Sequence, residues 1–160
     1  MKWALALVAT LMMAGVPAAF AAKKELAKKD MKDPPNKGAV AKASAKATFD
    51  KKAIATHTFA NGRTVTFTPA DIGHLSQDDL GRGAVIGRFT TDKDTKEGLP
   101  AGKYEVYLRK PGGSWQIFYC DDDRPVAQAD NVEGGLDNEH APKFTDGGNS
   151  IRYWRLKFSY

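Results

Sequence analysis

The chain has 160 residues, a formal net charge of +5 and a single cysteine. That length suffices for one domain with a real core, and a lone cysteine excludes an internal disulfide, so the fold must stand on packing. The charge sets a nucleic-acid reader aside. Residues 22–49 hold eight lysines against Glu25, Asp30 and Asp33, whereas residues 50–160 hold 15 Lys and Arg against 16 Asp and Glu, so the basicity belongs to a tail and not to a folded face.

Met1-Lys2 gives a short basic start, Trp3–Phe20 carries no charge, and Ala19-Phe20-Ala21 closes the run on a small-x-small site before Lys23-Lys24. These are the three parts of a secretory signal over residues 1–21, cleaved near Ala21. Pro17 ends the apolar helix where a peptidase needs extended chain. The competing reading is an uncleaved anchor, for which the run falls just short of the about 20 apolar residues a bilayer requires. The processed chain is expected in the periplasm or outside the cell.

Residues 22–48 are rich in Lys and Ala, contain Pro34-Pro35 and lack aromatic residues. Such a stretch buries too little apolar area to offset the entropy of ordering, and it reads as a disordered basic tail or linker. A short helix over residues 23–32 and peripheral contact of the tail with an anionic surface are the alternatives.

From Phe49 the pattern changes to short alternating runs broken by Gly, Pro, Asn and Asp. Residues 53–67, with Asn61-Gly62 between two threonine-rich segments, read as a hairpin with a two-residue type I′ turn. That register sets Ala60 opposite Arg63 and Thr58 opposite Val65, and turns Ile54 inward with Val65 and Phe67. Residues 69–80 read as a loop with a short helical turn, and residues 83–90 as a strand whose Gly83 and Gly87 admit a bend or a close backbone. A second hairpin spans residues 103–120, with Tyr104, Val106 and Leu108 alternating on one side of the first strand, Trp115, Ile117 and Tyr119 doing the same on the next, and Pro111-Gly112-Gly113 as the turn between them. A short strand falls within 125–130, and residues 133–150 read as a long surface loop. Residues 151–160 read as one half-buried strand with Trp154, Leu156, Phe158 and Tyr160 on its inner face. The sum is an antiparallel β-sandwich of six to eight short strands over residues 49–160, or else a small β-barrel.

Gly98-Leu99-Pro100-Ala101-Gly102-Lys103-Tyr104-Glu105-Val106 resembles the strand entry of prealbumin-like and carboxypeptidase-regulatory-like sandwiches of secreted bacterial proteins. That resemblance implies a sandwich with a binding or structural role. The aromatic C-terminal stretch is also similar to the last strand of outer-membrane barrels, although the middle of the chain lacks the lipid-facing alternation such barrels need.

The residues that could carry chemistry are few. His57, His74 and His140 show no ligand spacing, and a copper or zinc site built on His74 and His140 would need the fold to assemble it. Asp121-Asp122-Asp123, like Asp92, Asp94 and Glu97, could offer calcium hard oxygens, but neither run fits a twelve-residue calcium loop and both read as turns. This leaves His57, His74, His140, Asp121 and Asp123 as metal candidates, with no cofactor expected. Ser114 sits in a turn without a nucleophile elbow. Cys120 reads as buried; the alternatives are an intermolecular bond or a Cys–His dyad. Trp115, Tyr119, Tyr153 and Trp154 alternate with polar residues as core rings do; on an exposed face they would stack on sugars. The expected function is a non-catalytic exported module that binds an envelope component or a protein partner. A metal-handling envelope protein and a small hydrolase are the alternatives.

Overall fold

The computed structural model describes residues 31–160. The signal over residues 1–21, its cleavage, and the tail as far as residue 30 lie outside the described residues.

Two antiparallel sheets face each other. The first is a six-stranded meander in sequence order: β1 (Ala55–Thr58), β2 (Thr64–Pro69), β3 (Ala84–Thr91), β4 (Gly102–Arg109), β5 (Gln116–Asp121) and β6 (Arg124–Gln128). The second has the order β7-β10-β9-β8, with β7 at Val132–Glu133, β8 at Glu139–Thr145, β9 at Ser150–Trp154 and β10 at Leu156–Ser159. No ladder joins the two sheets among the described residues, so the architecture is a sandwich and the barrel reading falls away. Alternation along each strand drives this packing. Val65 and Phe67 of β2, Phe89 of β3, Tyr104, Val106 and Leu108 of β4, and Ile117 and Tyr119 of β5 meet Ile151, Tyr153, Leu156 and Phe158 in one cluster.

The first hairpin forms with a different turn. Phe59 N donates to Arg63 O and Gly62 N to Phe59 O, and Gly62 has φ 85°. This is a three-residue loop with the glycine in the left-handed position, which suits the right-handed strand twist as well as a type I′ turn does. The register moves by one, so His57 opposes Val65 and Thr58 opposes Thr64. His57 therefore shares the inner face with Val65, and Ile54 points outward, 47% exposed.

The C-terminal stretch is a hairpin and not one strand. Tyr153 pairs with Leu156 and Ile151 with Phe158 across a turn at Trp154-Arg155. Ile151 and Tyr153 are buried at odd positions, and Leu156, Phe158 and Tyr160 at even ones. The change of parity is the turn itself, because a tight reversal swaps which residues face the core. The stretch read as a long loop over 133–150 contains β8, whose Lys143, Phe144 and Thr145 pair with Arg152, Ile151 and Ser150. These two departures, together with the short β7, bring the described strands to ten.

The basic tail extends less far than its composition suggests, since Lys37–Lys46 form a helix, α1. Asn36 caps it by accepting from Ala39 N at 2.8 Å. Alanine and lysine favour the helix, and Val40, Ala43 and Ala47 make a narrow stripe that lies on the outer face of the first sheet. There Val40 is fully buried with Val85, Tyr107, Phe118 and Cys120. Ser44 Oγ donates to Glu105 Oε2 at 2.5 Å. A second helix, α2 (Gln77–Arg82), starts on a Ser76–Asp79 capping box.

Cys120 thus lies beneath α1, wholly buried, with its thiol pushed up to about 12, mainly by that burial. In the native protein it is expected to resist a maleimide at pH 8. Val40→Asp should expose it, because burying a valine contributes about 2 kcal/mol and labelling should then quicken by about 30-fold. An unchanged rate, followed by mass spectrometry, would show that α1 does not guard the thiol.

Candidate functional site

A cleft of about 610 Å³ opens at one end of the sandwich. Its floor is the segment after β2, tied to the chain after α1: Asp50 N donates to Pro69 O at 2.8 Å and Asp71 N to Thr48 O at 2.8 Å. One wall carries Phe49, Asp50 and Asp71, and the other carries Asn138, Glu139, His140, Tyr153 and Trp154. Tyr153 spans the two, its hydroxyl donating to Ala70 O at 2.8 Å. Glu139, opposite Trp154 in the ladder, lies 2.8 Å from Lys143 Nζ and 3.7 Å from Arg152 Nη2. The hydrogen bond from Lys143 holds its carboxyl below the usual carboxylate range, so this group stays ionised.

Trp154 is the unusual member. It occupies the β9–β10 turn with φ 55°, a left-handed conformation that glycine or asparagine adopts readily and a bulky aromatic residue adopts only at a cost of about 1–3 kcal/mol. Its half-buried ring meets Trp115 edge to face, with centroids 6.2 Å apart. Trp115 in turn lines a shallower depression of about 380 Å³ with Arg82, Lys110 and Gln77, and Lys110 Nζ sits 4.9 Å over its ring. Gly134 lies flat against Trp115, where a Cβ would come within 2.7 Å of the indole. The two indoles therefore form a continuous strip from the cleft to the depression.

Of the four aromatic candidates, the structure brings Trp115 and Trp154 together on the surface and turns the other two inward. Tyr119 is wholly buried, donates to Ser159 O at 2.6 Å, and cannot stack on a ligand. Tyr153 is 7% exposed and contributes the edge of the cleft. The metal candidates do not converge. His57 packs against Gly148 and Phe59 at the sandwich edge, His74 lies 3.9 Å from Asp71 on the surface, and His140 lines the cleft. Asp121 and Asp123 flank the β5–β6 turn, where Asp122 has φ 61°, and Asp123 faces Lys37 at 3.7 Å. Among the described residues, no three His, Cys, Asp or Glu side chains gather closely enough to hold a metal ion. Cys120 and Ser114 have no histidine beside them in any described contact.

Asp50, Asp71 and Glu139 were not singled out by sequence, since each reads locally as a loop or strand-end carboxylate. The parity change around Trp154 was the signal that could have marked the turn and its half-buried indole. Among the described residues no helix is long and apolar enough to cross a membrane. Compared with protein families, with curated proteins and with solved structures, the chain matches none.

Proposed function

We propose that the chain is an exported, non-catalytic sandwich module that binds an elongated envelope component, a glycan strand, across the Trp154–Trp115 strip. The observation that supports this is the pair itself: two half-buried indoles in edge contact, one held in a costly turn conformation, joining a deep cleft to a shallow one. The half-buried Trp154 ring at the cleft suits stacking against a pyranose face, with Trp115 bracing it edge-on, and the ionised Glu139 with Asp50, Asp71 and Asn138 supplies acceptors and an amide for hydroxyl groups. The signal-like N-terminus supports an envelope ligand of this kind.

Thermal unfolding with cell-wall glycan fragments tests the reading. A fragment at 100 times its dissociation constant should add about 2.7 kcal/mol of stability. Trp154→Ala should weaken binding about tenfold while moving Tm by no more than about 4 °C, since relief of the turn offsets the lost packing. A response to Zn²⁺ or Cu²⁺ and to no glycan would overturn the proposal in favour of metal handling at His140 and Asp71.

A further inference from the structure

Every charged residue on the outward face of α1 is basic, between exposed Gly38, Ala41 and Ala45. Lys37, Lys42 and Lys46 are all exposed, and no acidic residue interrupts the helix, whose sequence is KGAVAKASAK. Exposed Lys32 precedes it and exposed Lys51 and Lys52 follow. Over residues 22–52 ten lysines stand against four acidic residues, whereas residues 53–160 hold 13 Lys and Arg against 15 Asp and Glu. Lys37 lies 3.7 Å from Asp123; among the described residues, no ion pair engages Lys42, Lys46, Lys51 or Lys52. A helix facing only water usually intersperses glutamate, because like charges four apart repel. Lys42 and Lys46 stand at that spacing, and Lys37 sits at the positive end of the helix dipole. The inner stripe and the Ser44–Glu105 hydrogen bond fix the orientation, so the lysines are held as an array rather than carried on a free tail.

We infer that this face docks the domain onto an anionic lipid bilayer. The array presents ammonium point charges without the arginine forks that read discrete phosphates. Such a surface fits diffuse headgroup charge better than a bound small anion or a stacked polymer. It also begins only sixteen residues after the apolar run Trp3–Phe20, the segment that would bring the chain to a membrane. The inference is independent of the glycan reading, because the lysines lie on α1 and the indoles on the β9–β10 turn and before β5.

Co-sedimentation of the full chain with phosphatidylcholine vesicles, and with vesicles containing phosphatidylglycerol, is the test. The zwitterionic vesicles report any insertion of the apolar run. Binding should be stronger on the anionic vesicles and should fall with added salt. The K37Q/K42Q/K46Q variant should lose about 100-fold of that anionic increment, about fivefold for each lysine. The variant K93Q/K96Q/K103Q removes the same charge elsewhere and should stay within about twofold of the wild type. Matching circular dichroism and Tm values for both variants would show that the loss is not unfolding. Equal losses from the two variants would reduce the effect to net charge and overturn the proposal, as would unchanged binding by the α1 variant. Specific competition by inorganic phosphate at constant ionic strength would point to a discrete anion site and likewise overturn it.

Discussion

Gly87→Ala is expected to destabilise the protein by about 3 kcal/mol, the upper range for overpacking a filled core. Gly87 follows an irregularity in β3, where the pairing with β4 shifts between Val85 and Gly87 and leaves Ile86 as the extra residue. Opposite it on β2 is Pro69, and the ring of Phe67 lies directly over its Cα. An added Cβ would meet Phe67 Cε2 at 2.6 Å and the Thr68 carbonyl oxygen at 2.9 Å. The ring cannot yield, because Phe67 is wholly buried and packs against Tyr153 at 5.7 Å and Phe158 at 6.0 Å. The carbonyl belongs to the strand ladder and yields even less. Urea unfolding should show a lower midpoint at an unchanged slope. In a double-mutant cycle, Phe67→Leu should recover part of the loss, since it removes the ring edge but not the carbonyl. A midpoint within experimental scatter of the wild type would mean that the bulge adjusts freely.

The second large effect is alkaline unfolding. Tyr104, Tyr119, Tyr153 and Tyr160 each donate a buried hydroxyl to a backbone carbonyl: Pro100, Ser159, Ala70 and Gly148 respectively. Burial is the leading cause that raises all four, with Tyr153 and Tyr160 at about 12. Burial likewise raises Tyr107, whose hydroxyl lies against Gly83. In the unfolded chain these phenols ionise near 10. The folded state therefore holds protons that the unfolded state has released, so stability is full below pH 10 and is lost as pH rises through 12. Cooperative unfolding is expected in that window, with phenolate absorbance appearing together with the loss of tertiary circular dichroism. Tyr153→Phe removes one such group and should move the alkaline midpoint upward, although it leaves the Ala70 carbonyl without its donor and lowers stability at neutral pH by about 1–2 kcal/mol. Phenolate absorbance that rises before the fold is lost would show that the hydroxyls are reached by solvent in the native state.

The sandwich was legible in sequence because its inner faces obey a period of two with few exceptions, from Val65 and Phe67 to Ile117 and Tyr119. Two features escaped because a second influence overrode the local pattern. Asn61-Gly62 satisfies either a two-residue or a three-residue loop, and the choice decides whether His57 or Thr58 meets Val65. Helix α1 has only Val40 as a wholly buried anchor, so its own sequence looks solvated. Its partner was written in β5, where Ile117-Phe118-Tyr119-Cys120 is apolar without alternation, the mark of a strand covered on both faces. The cleft was hidden for a different reason, since its walls come from four separate segments that only the paired sheets bring together.

The order of the strands sets a sequence of events in folding. Every strand from β2 to β6 pairs with the one made just before it, so the first sheet closes short loops and can grow hairpin by hairpin as the chain emerges. The second sheet cannot, because β7 finds its partner only in β10, after β8 and β9 have been threaded beside it. Until then Phe67, Phe89, Val106 and Ile117 form an uncovered apolar face on an otherwise finished sheet. That half-built sheet is the species most exposed to aggregation, and a holdase that recognises one bare face of a β-meander would meet its client at that stage.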